Sequence, residues 1–169
     1  MNSKTVTVES ANGRDEVELS KQELKYFNAA AGEYGVLSEL NKRFIETQMT
    51  IGNKKAVDIL FFQRSTGLWR SIEVKSTMME RKIITSFFQK YGDRQSSKAK
   101  PDFWILVKTD PKTLTSEFRI LTHDEMGAAQ MKRNGMKVWE SWPNGVDSVT
   151  WEVVDEVVPD ALNGWHKLA

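Results

Sequence analysis

The chain has no cysteine and only two histidines, His123 and His166, among its 169 residues. The first absence excludes disulfides, thiolate zinc sites and a cysteine nucleophile. The second argues against a metal centre built from histidine. No uninterrupted apolar run approaches the length of a bilayer-spanning helix, and no apolar h-region opens the N-terminus. The expectation is a soluble, cytoplasmic protein with no membrane partner. Prolines number only 4, and there is neither a long linker nor an internal repeat. At this length one domain, residues 1–169, can bury a core without staples.

Net charge is +1, which alone says nothing about a polyanionic partner. The distribution says more. Residues 42–112 hold 15 Lys and Arg against 7 Asp and Glu, whereas the remainder holds 9 against 16. A basic central segment is what a phosphate-binding face requires.

Local signals order the rest. An Asn12-Gly13 turn between alternating apolar residues predicts an N-terminal hairpin over 4–19. Ser20 and Glu23 have capping-box spacing and open a helix to about Arg43. A short strand is expected at 44–50, a hairpin at 56–76, a helix at 78–91 and a buried strand at 103–107. The polar loop 92–100 ends at Pro101. Beyond Asp110, 118–121 reads as a strand, Thr122 and Glu125 cap a short helix to about Lys132, and 149–154 reads as another strand. The domain then divides into an N-terminal hairpin (1–19), a core (20–109) and a C-terminal α/β extension (110–169).

The 56–76 hairpin carries the chemistry. One run contains Asp58 before Ile-Leu-Phe-Phe, a turn follows through Ser65, Thr66 and Gly67, and the second run contains Ile72-Glu73-Val74-Lys75. Strand alternation puts Glu73 and Lys75 on one face and Ile72 and Val74 on the other. Pairing brings Asp58 beside Glu73. Two carboxylates and a lysine so placed suit a divalent metal and a water next to a phosphate.

This pattern resembles the PD-(D/E)XK nuclease superfamily, in particular its small restriction-endonuclease-like and Holliday-junction-resolvase-like domains. The Glu-X-Lys element stands as Glu73-Val74-Lys75; the family's proline is replaced by Val57. The resemblance covers roughly residues 29–109. It implies an α/β fold with a restriction-endonuclease-like α-β-β-β-α-β core, a mixed central sheet flanked by helices. The expected order of elements above has the same sequence.

Many members of that superfamily place a metal-binding glutamate on the helix before the sheet, and Glu33 and Glu39 both qualify. Glu33 shares a stripe with Leu37, Leu40 and Phe44, the face expected to pack on the sheet, whereas Glu39 sits with Gly35, Arg43 and Glu46. A carboxylate aimed inward needs a partner or a cation, which favours Glu33. Gly32 and Gly35 imply either a close backbone approach or a break in the helix.

The resemblance implies a metal-dependent DNA endonuclease leaving a 5′-phosphate. Asp58, Glu73 and Glu33, with the Val74 backbone carbonyl, would hold Mg²⁺ or Mn²⁺, which suit hard oxygen ligands. Lys75 would orient the attacking water and steady the transition state. Gln89 is a supporting candidate, and Lys98 and Lys100 are candidate DNA contacts. The stripe Ile84, Phe87, Phe88 and Tyr91 reads as core, His123 as structural, and Trp139, Trp142, Trp151 and Trp165 as anchors of a C-terminal sub-core. The alternative is a non-catalytic nucleic-acid-binding or partner-dependent subunit on the same fold. A homodimer, and a partner protein supplying specificity, are compatible with either.

Overall fold

The computed structural model describes residues 3–10, 13–50, 57–78, 81–91, 99–110, 112–136 and 146–169, and side chains from Val17 onward. Among them no helix is long and apolar enough to cross a membrane. Strands β1 (Ser3–Ser10) and β2 (Gly13–Ser20) form the expected antiparallel hairpin, with Ser10 opposite Gly13. Asn12 lies outside the described residues. Helix α1 (Lys21–Lys42) follows at once. Ser20 Oγ accepts from the Glu23 N–H at 3.2 Å, and Glu23 accepts from the Ser20 N–H at 2.8 Å, so the capping box forms.

The helix stops in a Schellman motif. Phe44 N–H bonds Asn41 O and Ile45 N–H bonds Leu40 O, with Phe44 in the left-handed region at φ 57°. Phe44 therefore leaves the helical stripe and is 82% exposed, contrary to its expected place on the sheet-facing side. The same turn delays the expected 44–50 strand, so β3 spans only Thr47–Met49.

The central sheet has five strands in the order β3-β4-β5-β7-β8, where β4 is Ile59–Gln63, β5 Leu68–Met78, β7 Phe103–Thr109 and β8 Ser116–Thr122. Pairing is antiparallel except between β5 and β7, which are parallel, so the sheet is mixed. The expected hairpin is present as β4–β5, with Gln63 opposite Leu68 and Gly67 at φ 68° closing the turn. Both faces are covered. Ile72, Val74, Phe103, Ile105 and Val107 pack with Val36 and Leu40 of α1. Trp104, Leu106 and Leu121 pack on the opposite side with residues of the later helices. Burial on both faces is why β7 is apolar without alternation.

Two further stretches depart from the local signals of the sequence. The 78–91 stretch is not one helix: β5 runs on to Met78, β6 (Lys82–Ile84) follows, and α2 is only Phe87–Tyr91. Ile83 and Ile84 are β-branched and find a strand partner, β9 (Ser148–Thr150), far along the chain. Ile84 is consequently 65% exposed, outside the apolar stripe, while Phe87, Phe88 and Tyr91 are buried as expected. Likewise 149–154 is not one strand. Thr150 Oγ1 accepts from the Val153 N–H at 3.4 Å and caps α4 (Trp151–Val157), whose Trp151 and Val154 enter the core with Val158 beyond its end.

Helix α3 (His123–Arg133) opens on the expected capping box of Thr122 and Glu125. A 3₁₀ turn, Trp165–Leu168, closes the chain on the α1 side. Arg119 of β8 joins the extension to the sheet: it is bidentate to Asp155, at 2.7 and 2.9 Å, and lies over the Trp151 ring. Trp151 and Trp165 are buried, but on opposite sides of the central sheet rather than in a separate C-terminal sub-core; Trp139 and Trp142 lie outside the described residues.

Candidate active site

The site forms where β4 and β5 part. Pairing of the two strands ends at Ile59 opposite Ile72, while β5 continues to Met78 along β7. Asp58 stands at that fork. Its own N–H bonds Ile72 O at 2.8 Å, and its Oδ2 accepts the Val74 N–H at 2.7 Å. A side-chain oxygen thus takes over from the strand that has turned away. It is the Val74 N–H that the carboxylate engages. Burial pushes the Asp58 carboxyl above its usual range, opposed by the Val74 hydrogen bond and the Lys75 charge.

Glu73 is 1% exposed, on the sheet face opposite α1. A carboxylate so buried needs several partners. Lys75 Nζ is 2.6 Å from Oε1, Lys90 Nζ of α2 bonds the same oxygen, and the Tyr91 hydroxyl donates to Oε2 at 3.3 Å. Burial, then the Glu73 charge, pushes the Tyr91 hydroxyl well up from its usual value. Lys75 and Lys90 side chains remain about a quarter exposed, at 25% and 23%.

Glu33 reaches the fork from α1. The helix can approach because residue 32 is glycine: a Cβ there would lie 2.5 Å from Ser76 Cβ and 2.8 Å from its Oγ. Ser76 Oγ donates to Asn28 O at 2.6 Å and fastens the two elements. The close-approach reading of Gly32 therefore holds, and the helix is unbroken. Glu33 is half-buried; burial raises its pKa, the Asp58 charge raises it further, and Lys75 opposes both. Glu39 instead pairs along its own helix with Lys42 and Arg43, at 2.8 and 2.5 Å, which lowers its pKa.

Gln89 is exposed on α2, and its neighbours Lys90 and Tyr91 are the residues that reach Glu73. From sequence alone Tyr91 reads as core and Lys90 carries no sign of a role. Their positions three and four residues beyond Phe87 place them on the inward side of α2, a signal hidden by the overlong helix expected there. Lys100 is exposed beside a groove of about 510 Å³ that Tyr91, Phe87, His123 and Asp124 also line. His123 packs against Phe87 and Tyr91, with ring centroids 5.1 and 5.0 Å away. Burial, then the Lys100 charge, lowers its pKa. Lys98 lies outside the described residues.

The donors at the fork are hard carboxylate oxygens, the chemistry that Mg²⁺ or Mn²⁺ prefers. Among the described residues, however, no three His, Asp or Glu side chains converge closely enough to hold an ion. The cations around Glu73 are ammonium groups.

No protein-family model and no curated protein matches the chain. Among solved structures it is similar to a bacterial homing endonuclease, I-Ssp6803I, with a TM-score of 0.47 and 10% identity over 84% of this chain and 88% of that one.

Proposed function

We propose that the protein is a metal-dependent endonuclease that hydrolyses DNA phosphodiester bonds at the β4–β5 fork by PD-(D/E)XK chemistry. The observation that carries this reading is the meeting of Asp58, Glu73 and Lys75 where the paired strands separate. A nuclease needs carboxylates for a cation and a lysine for the reacting phosphate, side by side. Asp58 and Glu73 would hold Mg²⁺ or Mn²⁺, with Glu33 and the Val74 carbonyl as further ligands. When bound, the ion supplies a more acidic water and screens charge growing on the phosphate. Lys75 places its ammonium beside the non-bridging phosphate oxygens and orients the attacking water. Water adds to phosphorus, the P–O3′ bond breaks, and the products are a 3′-hydroxyl and a 5′-phosphate.

One observation favours a second reading, a nucleic-acid-binding module without turnover: Glu73 already has two lysines and a tyrosine as partners. Incubation of supercoiled, linear, single-stranded and four-way-junction DNA with Mg²⁺ or Mn²⁺ separates the two. Cleavage that disappears in Lys75→Ala and Asp58→Asn, with their circular dichroism unchanged, supports the nuclease. Cleavage equal to wild type in both variants refutes it. DNA binding without cleavage of any substrate supports the module.

A further inference from the structure

Phe44 occupies a backbone conformation that its own packing does not explain. A bulky side chain at φ 57° is a steric outlier, and the ring is 82% exposed, so no burial offsets the strain. The ring borders a cavity of about 370 Å³ that Ile45, Phe62 and Trp165 also line, together with Arg43 and Arg64. The two arginines differ. Arg43 is bonded to Glu39 at 2.5 Å and lies 4.5 Å over the Trp165 ring, which makes it a fixed wall. Arg64 is exposed, donates to Phe44 O at 3.2 Å and makes no salt bridge among the described residues.

Phe62 joins this cavity to the sheet face that carries Glu73 and Lys75. Register sets Phe62 opposite Trp69 and Leu60 opposite Ser71, so by alternation Leu60, Phe62, Trp69, Ser71 and Glu73 share one face. On the other face Ile59, Phe61 and Ile72 are fully buried against α1. Leu60 and Phe62 are only half-buried, and Trp69, whose ring packs 5.7 Å from that of Phe62, is 44% exposed. Phe44, Phe62 and Trp69 thus form an aromatic strip with Arg64 beside it. Phe62 lies four residues along the chain from Asp58, about 13 Å in extended strand.

We propose that this strip binds single-stranded nucleic acid, with unpaired bases stacked on Phe44 and Trp69 and a phosphate on Arg64. Aromatic rings held at a surface accept any base by its π-face, and the remaining guanidinium N–H groups suit phosphate oxygens. Continuity favours a polynucleotide over a protein partner. A strand leaving the fork along this face meets Lys75, then Trp69, then Phe44 and Arg64, a line of π-faces and cations rather than one closed apolar patch. Helix α1 would end more stably on glycine, so a ring presented outward at Phe44 is stability given up for contact. The proposal needs nucleic acid as the partner, which both readings of the fork share, and needs neither a bound cation nor turnover. For a fork that cleaves DNA, it names the substrate class: DNA with an unpaired stretch about four stacked nucleotides from the scissile phosphate, at about 3.4 Å per nucleotide.

The test is fluorescence anisotropy of a labelled thymidine homopolymer in EDTA, with the full chain as wild type, Phe44→Gly, Phe44→Tyr, Trp69→Ala and Arg64→Gln. Wild type is expected to bind. Phe44→Gly and Trp69→Ala are each expected to weaken binding at least about fivefold, the loss of one stacked base, while Phe44→Tyr stays near wild type. Phe44→Gly also relieves the strained backbone, so weaker binding in a variant whose Tm is not lowered cannot come from unfolding. Arg64→Gln is expected to reduce the salt slope by about 0.7, and an unchanged slope overturns the phosphate contact. Affinity unchanged in both Phe44→Gly and Trp69→Ala overturns the proposal, as does absence of binding by wild type; cleavage of duplex DNA in Mg²⁺ would then leave the nuclease reading standing. Binding that these variants lose, in a protein that cleaves no substrate, supports the strip and leaves the nuclease reading to fail alone. A wild-type dimer in sedimentation velocity that Phe44→Gly converts to monomer, without single-strand binding, assigns the strip to a second copy and overturns the proposal.

Discussion

Replacing Gly32 with alanine sets two effects of opposite sign against each other. In an exposed helix interior the change is worth about 1 kcal/mol in favour of alanine. Here the new methyl carbon would sit 2.5 Å from Ser76 Cβ and 2.8 Å from Ser76 Oγ. Ser76 Cβ is fixed directly to the backbone and no rotation moves it away, so relief requires α1 and β5 to separate. Overpacking of this kind costs about 1–3 kcal/mol. Separation also strains the Ser76 Oγ to Asn28 O hydrogen bond, whose loss costs about 1 kcal/mol. The balance is a net destabilisation of about 1–3 kcal/mol. In thermal unfolding this is a fall of about 2–4 °C in Tm for each kcal/mol. Urea denaturation followed by circular dichroism measures it directly. Ser76→Gly removes both crowded atoms, so the cost of Gly32→Ala is expected to drop by at least about 1 kcal/mol in that background. Gly32→Ala that stabilises the wild-type chain would refute the close-approach argument. The same substitution is expected to impair cleavage, since Glu33 rides on the displaced turn.

Phe44→Gly is expected to raise stability by about 1 kcal/mol, because a bulky residue at φ 57° is replaced by one that adopts it freely while an 82% exposed ring is given up; thermal unfolding checks this. Asp58→Asn is expected to abolish cleavage yet raise Tm at neutral pH by about 2–4 °C. The folded carboxyl titrates above its ordinary 3.8, so the stability linked to it is present below that value and lost as pH rises through the folded pKa. The advantage of Asn should therefore shrink towards zero in melts below about pH 3.8, and an advantage that persists at acid pH would contradict the assignment. Asp147→Ala removes the acceptor for the Phe88 and Gln89 N–H groups, a loss of about 1 kcal/mol. Faster hydrogen exchange confined to those two amides and their neighbours is the expected signature.

Elements with local punctuation were legible. Ser20 with Glu23 and Thr122 with Glu125 announce their helices three residues ahead, and Gly67 announces the β4–β5 turn. The hairpin then places Asp58 beside Glu73 by register alone. Elements defined by a distant partner were not legible. Residues 82–84 become a strand because 148–150 come back to pair with them, and nothing nearby says so. The Val149–Val154 run has strand propensity, but Thr150 supplies a cap and the spacing of Trp151, Val154 and Val158 suits a buried helix face. Lys90 and Tyr91 escaped for the same reason, since their link to Glu73 depends on where α2 begins. Gly32 is the intermediate case. Its oddity was visible in the chain, but its cause, Ser76, required the third dimension.

The pairing of β6 with β9, together with the Asp147 hold on α2, bears on how such a chain can be shortened or recombined. A fragment ending at Asp110 would retain the complete Glu-X-Lys hairpin and every residue named on it. It would lack the clamp that aims Lys90 and Tyr91, so the motif would survive while its surroundings did not. Chimeras between related chains would need to inherit residues 82–91 and 146–150 from one parent. The boundary of the unit that carries the candidate site thus follows the hydrogen bonds that converge on α2, and it runs well past the last residue of the motif.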